Sequence, residues 1–336
     1  MHQKYLKQLI ILVLLLTLSG LNILCTQQAV DDVSISQAQV DAHIKYLASD
    51  DLKGRDPFSE DIHMAEDYIA MQFREAGLKA FDRFPDYRHT FTHLYRDRRN
   101  PDDPGTEYTL TNIVGYLEGL DPKLKDEFLI FGAHHDHLGI GGNGEDTIYN
   151  GAEDNASGTT AIIALADYFA AHGDNNRSII FITFSAEERG MIGSHRFVQD
   201  LPVEKDQIVA MINFEMIGKP SDDGKPVCYV TGWNRSDLGE ILQKSVSDAP
   251  LQIIHGPEIT DRLFFASDNI SFARAGIVAH TIAGIQSTGD SLTHHVDDEY
   301  ETLDIANMTA IICGVATASQ SLISGKETPR LLQPVE

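Results

Sequence analysis

Four strand-length apolar runs, at residues 128–133, 179–184, 208–214 and 277–282, each lead into a cluster of acidic residues or histidines. Runs that are apolar throughout, rather than alternating with polar residues, belong to strands buried on both faces. Helix-length patterns fall between and after them, at 158–171 and 305–323, and shorter runs at 112–117, 227–231, 237–247 and 251–255 continue the alternation. That order specifies an α/β protein with a largely parallel sheet covered on both sides. In such sheets, ligands gather where strands end and loops leave.

Ahead of this core, Ser36 and Gln39 spell a capping box for a helix over 36–47, with Val40, Ile44 and Leu47 on one face. A second helix is expected over 64–76, with Ala65, Ile69 and Phe73 aligned and Gly77 as its stop. Residues 52–57 read as a turn-rich link, and 93–108 as an exposed loop or hairpin insertion. No internal repeat or low-complexity linker divides the chain after residue 30, so one domain is expected over 30–326.

Residues 1–25 read as a separate secretory signal peptide: Lys4 and Lys7 precede an apolar run from Leu9 to Leu18. The run is shorter than a membrane span, which needs about 20 apolar residues. An exported protein is therefore expected, periplasmic or secreted, with no stable span after signal removal. A lipid anchor at Cys25 is the alternative, although Asn22, Ile23 and Leu24 lack the small residues such processing prefers. Cys228 and Cys313 remain, either paired or as buried thiols. With 26 basic against 50 acidic residues, the formal charge is -24. Such a surface repels nucleic acid and anionic membrane.

Five patches carry the chemistry. They centre on His134 to His137, on Asp154 at the entry to the 158–171 helix, on Glu187-Glu188, on Glu215, and on His294-His295. His134 and Asp136 are two apart, so on extended backbone they share a face, as a metal-binding imidazole and its carboxylate partner would. His135 and His137 would then point elsewhere. Asp154 reads either as a helix cap or as a carboxylate bridging two metals. In the adjacent pair, one glutamate binds metal while the other handles the proton of an attacking water. Two divalent cations against Asp154, Glu188 and Glu215 leave about one positive charge, which one hydroxide would match. Nitrogen and oxygen donors without thiolate suit Zn²⁺, with Co²⁺ or Mn²⁺ as substitutes.

These patches, in this order, resemble the co-catalytic zinc exopeptidases of peptidase family 28, clan MH, typified by bacterial leucyl aminopeptidase. The likeness extends to Tyr46–Arg55, to Asn112–Gly119, and to Ser267-Asp268 followed by Phe272 and Ala275–Ile277. It implies a three-layer α-β-α, phosphorylase/hydrolase-like fold with a mixed, centrally parallel sheet of about eight strands. It also implies two Zn²⁺ ions, one held by His134, Asp154 and Glu215, the other by Asp154, Glu188 and His294. Glu187 becomes the general base and Asp136 the partner of His134. His294 is preferred to His295 because Asp298 then completes the family's His-x-x-x-Asp spacing. Glu215 stands where the family usually has Asp, and Val278 where it commonly has Pro.

The activity so implied is removal of N-terminal residues from peptides with a free amino terminus. Three readings compete with it. A glutaminyl-peptide cyclotransferase would use a single zinc. A carboxypeptidase or dipeptidase would need a cationic anchor such as Arg262. A receptor-like module would have lost a ligand or base, and here every position is filled by a competent group.

Overall fold

The computed structural model describes residues 34–96, 100, 102–142, 144–220, 224–247, 249–256, 259–284 and 292–335. The signal peptide expected at 1–25, Cys25, and the first residues of the expected domain (30–33) lie outside the described residues.

Helix α1 (Gln37–Leu47) starts at the expected capping box, with Ser36 and Gln39 satisfying each other's backbone N–H, and it buries Val40, Ile44 and Leu47. Helix α2 (Ile62–Glu75) buries Ala65, Ile69 and Phe73, and Gly77 just beyond takes the left-handed conformation that ends it. The link between them is a tight turn, Asp50–Arg55, in which Lys53 and Gly54 are also left-handed.

Strands β1 (Arg88–Tyr95) and β2 (Thr106–Leu117) form an antiparallel hairpin over the region read as a loop or insertion. Strand β1 was not foreseen because it lies at the sheet edge, where exposed Thr90 and Thr92 and the polar Arg88, His89 and His93 break any apolar run. The chain continues through β3 (Phe128–His134), a short ribbon of β4 (Gly139–Ile140) and β5 (Ile148–Tyr149), and α3 (Ser157–His172). Then follow β6 (Ser178–Phe184), α4 (Ile192–Gln199), β7 (Ile208–Glu215), β8 (Val227–Val230), α5 (Leu238–Ser245) and β9 (Gln252–His255). Short helices α6 (Ile259–Leu263) and α7 (Asn269–Arg274), strand β10 (Ala279–Gly284) and helix α8 (Ile305–Ile323) complete it.

The main sheet has eight strands in the order β1-β2-β6-β3-β7-β10-β8-β9. Its centre, β6-β3-β7-β10, is parallel, and antiparallel pairs appear only toward the edges. Side chains of the central strands alternate between two cores, as the period of two requires. Leu129, Phe131, Ile179, Phe181 and Ile212 pack with α1, α2, α3 and α8, whereas Ile130, Ile180, Ile182 and Met211 pack with α4 and α7. This is the mixed three-layer architecture the resemblance implied. Strand β10 begins two residues later than expected, because the Ile277 N–H closes the turn after α7 by bonding the Phe272 carbonyl.

Helix α8 is long and apolar enough to cross a membrane. Here Met308, Ile311, Ile312, Val315 and Leu322 are core residues, so its hydrophobicity is satisfied within the domain. Cys228 and Cys313 are free thiols, and burial pushes Cys228 up to about 12.

Candidate metal centre

His134 ends β3 and Glu215 ends β7, its neighbour in the sheet, so two parallel strands deliver an imidazole and a carboxylate to the same edge. Asp154 comes from the irregular turn Ala152–Ala156 that precedes α3. His134 Nε2 lies 3.0 Å from Glu215 Oε1 and 3.3 Å from Asp154 Oδ1. The other oxygen of Asp154 is 3.4 Å from His294 Nε2, which is itself 3.0 Å from Glu188 Oε2. Asp154 thus faces two donor groups with its two oxygens, as a bridging carboxylate must. It is no helix cap, since no side chain caps α3.

Glu187 and Glu188 occupy the loop after β6, and Asp136 organises it. The Asp136 carboxylate accepts the Glu187 N–H at 3.0 Å and the Glu188 N–H at 3.3 Å. Its expected pairing with His134 is made mainly through the main chain, with the carboxylate at ion-pair distance. His134 Nδ1 lies 3.1 Å from the backbone carbonyl of Asp136, while the carboxylate stands 3.8 Å away. The face-sharing argument assumed extended backbone, and β3 ends at His134. Asp136 therefore fixes the imidazole with its main chain and the glutamate loop with its side chain.

The same break corrects the expectation for His137. His135 does turn away, with Nδ1 3.0 Å from Thr183 Oγ1. His137, by contrast, folds into the site, with Nδ1 2.8 Å from Glu188 Oε1. His294 rather than His295 reaches the centre; His295 is exposed and lies against Asp297. Asp298 accepts the backbone N–H groups of Glu153 and Asp154 and so presents the turn that carries Asp154. Arg262 is exposed on α6.

A further residue was not assigned a task from sequence. Arg55 is fully buried, and its guanidinium donates to the carbonyls of Leu47, His135, Asn150 and Gly151. It clamps the loop after β3 to the segment before Asp154. Gly54 beside it permits this approach: a Cβ there would lie 2.5 Å from the Gly139 carbonyl oxygen.

The electrostatics are those of crowded acids. Burial pushes Glu187 well above the usual carboxylate range, with His134 opposing and Asp268, Glu215 and Glu188 reinforcing. Burial also raises Asp136, to about 6, and Asp268, to about 7. Asp154 is held well below its ordinary value, because hydrogen bonds from His134 and His294 outweigh its burial. Bonds to Asp154 and Glu188 raise His294 to about 10. Against its burial, the charge of Glu215 and bonds to Asp154 and Glu215 likewise raise His134 well above its ordinary value, so these carboxylates favour a proton on both rings. A divalent cation satisfies the same demand and displaces those protons. Two overlapping groups of donors are close enough for this: His134, Asp154 and Glu215, and His137, Asp154 and Glu188, each with ligand atoms within 4.8 Å of one another. Among the described residues the donor chemistry, imidazole and carboxylate, fits zinc.

Residues 112–318 match the family model described as Peptidase family M28. A probable leucine aminopeptidase of Arthroderma benhamiae is 26% identical over 204 residues, covering 57% of this chain and 53% of that one. The chain spans about half the length, or less, of the first curated relatives it matches. Among solved structures, a zinc aminopeptidase from Bacillus subtilis superposes with a TM-score of 0.68 at 15% identity, covering 88% of this chain and 98% of that one. Glutaminyl cyclase of Porphyromonas gingivalis superposes with a TM-score of 0.63 at 16% identity, covering 86% and 99%. At such identities the likeness concerns the fold.

Proposed function

The chain belongs to peptidase family M28, and from that membership we propose that it is a two-zinc aminopeptidase acting on peptides with a free amino terminus. The observation that carries the reading is Asp154, whose two oxygens face two separate donor groups. A single-zinc cyclotransferase would need only one of them. His134 and Glu215 would hold one ion, Glu188 and His294 the other, and Asp154 both. When bound, the metal pair supplies Lewis acidity toward the scissile carbonyl and lowers the pKa of the attacking water.

The protein's own groups complete the reaction. The Glu187 carboxylate takes the proton of that water and delivers it to the departing amine nitrogen as the C–N bond breaks. Its backbone N–H is tied to Asp136, so the base is held in place through the same residue that anchors His134. Burial disfavours the ionised forms of Glu187 and Asp268, and a cationic amino terminus entering beside them would restore their charge where a blocked terminus would not.

Turnover of amino-acid anilides by zinc-replete protein tests this, with acetylated anilides and chelated protein as controls. Glu187→Gln should lower turnover by about 10²–10⁴-fold while two zinc ions remain bound. Retention of more than a few per cent of activity, or equal cleavage of acetylated substrate, would refute the assignment. One zinc per chain with cyclisation of N-terminal glutamine would transfer the site to the cyclotransferase reading.

Export belongs to the same proposal, supported by Lys4, Lys7 and the apolar run that follows them. Fractionation and N-terminal sequencing should find the protein outside the cytoplasm without its first residues; cytoplasmic protein beginning at Met1 would contradict it.

A further inference from the structure

The family pattern assigns no task to His137, yet the structure builds a place for it. The ring is fully buried. Nδ1 has Glu188 Oε1 at 2.8 Å, and Nε2 makes no hydrogen bond among the described residues. Glu188 Oε1 has no other partner there either. A fully buried imidazole with Nε2 unused, pressed against a carboxylate oxygen that has no other partner, would be a costly arrangement as an end in itself.

The surroundings hold the ring in place all the same. The His137 N–H bonds the Arg55 carbonyl at 3.0 Å, which fixes the backbone. Gly151, with φ +55°, leaves the space: a Cβ there would lie 2.5 Å from Cγ and Cδ2 of the His137 ring. The His294 ring stands 5.9 Å away, centroid to centroid. The two imidazoles address the same carboxylate from its two ends, His137 at Glu188 Oε1 and His294 at Oε2. His137, Asp154 and Glu188 together bring three ligand atoms within 4.8 Å of one another.

We infer that His137 is a fourth protein ligand of the second metal, alongside Asp154, Glu188 and His294. The inference rests on the two-metal reading above and makes the two sites unequal. The first, His134 with Asp154 and Glu215, has three protein donors, the number that catalytic zinc keeps when a position stays open. The second has four, one more donor, and would keep room for the shared water only by expanding to five-coordinate. The second ion should therefore be the tightly held one, and the first the exchangeable one that meets substrate.

Zinc binding measured against a chromophoric chelator separates these ideas without reference to activity. The wild-type chain should take up two ions in distinguishable affinity classes. His137→Ala should weaken the tighter class by more than about 100-fold, beyond the 10–100-fold typical of losing a group that only orients a ligand. It should also shift the visible d–d bands of the protein loaded with one equivalent of Co²⁺, and added imidazole should restore them. His137→Gln, which fills the space, serves the same measurement if the alanine variant unfolds. His135→Ala, which removes the imidazole beside Thr183, should leave both isotherms and bands unchanged. Two ions in the wild type with unaltered isotherm and Co²⁺ bands in the His137 variants would overturn the inference alone. Fewer than two ions in the wild type would overturn the two-metal reading beneath it.

Discussion

Arg55→Met would test how far the site depends on a residue that touches none of its ligands. The guanidinium donates through Nη1 to Leu47 (2.5 Å) and Asn150 (2.6 Å), through Nη2 to Gly151 (2.9 Å) and through Nε to His135 (2.9 Å). Burial lowers its pKa to about 10, while Asp298, Asp136, Asp154 and Glu188 oppose that by their charge. Methionine keeps the apolar stem but orphans four buried carbonyls, at about 1–3 kcal/mol apiece. Against this stands relief of several kcal/mol from no longer desolvating a cation. The net loss should be about 3–5 kcal/mol, a large part of a typical domain's stability. Reversible urea unfolding of the metal-free protein reads it as a fall in midpoint at constant slope. Arg55→Lys should recover less than half, since a single ammonium cannot span carbonyls from three segments. A loss below about 1 kcal/mol for methionine would mean the four bonds merely offset the buried charge, and the clamp argument would fail.

Two other measurements bear on groups outside and inside the centre. His280, on β10, lies with Nδ1 2.7 Å from the Thr231 carbonyl and Nε2 2.6 Å from Ser236 Oγ, and burial lowers its pKa from 6.5 to about 4. The unfolded chain therefore takes up this proton near pH 6.5 and the folded one only near pH 4. Its contribution is complete above pH 6.5 and declines by about 3 kcal/mol as pH falls to 4. His280→Gln should flatten the stability-versus-pH slope across that window, and an unchanged slope would contradict the buried neutral state. Ser267→Ala removes the hydroxyl that donates to Glu215 Oε2 at 2.6 Å. Zinc affinity of the exchangeable class should drop by about 10-fold or more, measured by chelator competition, and an unaltered isotherm would deny Ser267 any orienting role.

What could be read from the residues divides along physical lines. Strands β3, β6 and β7 were legible because burial on both faces demands unbroken apolar runs, which few other structures do. Strand β1 was not, because an edge strand can be half polar and still pair its backbone with β2. Four of the five patches were legible because strands lead into them, whereas Asp154 stands in the turn before a helix. The donors interleave along the chain, so their grouping in space was implied by the family resemblance and not by their order. His137 was missed for a related reason: period-two reasoning was extended past His134, where the strand stops and direction is set by the loop. Arg55 stood in view within the Tyr46–Arg55 stretch. Its role required knowing that three carbonyls up to 96 residues away converge on it, and no local pattern records that.

Glu215 shows how a departure from a family's pattern can be absorbed by its surroundings. A glutamate reaches one methylene further than aspartate, and a freely swinging longer carboxylate would spread its oxygens over many positions. Here both oxygens are committed. Oε1 faces His134 Nε2 at 3.0 Å, and Oε2 accepts the Ser267 hydroxyl at 2.6 Å. Ser267 is itself held, because Asn213, two residues before Glu215 on β7, donates from Nδ2 to its oxygen at 2.7 Å. The same Asn213 nitrogen lies 3.2 Å from Thr281 Oγ1 on β10, the next strand in the sheet. The extra reach is thus disciplined by a chain of bonds running from β10 through β7 to the carboxylate. A longer ligand on a rigid mount can place its oxygen as well as a shorter one, so the substitution alters which residues hold the donor rather than which donor is held.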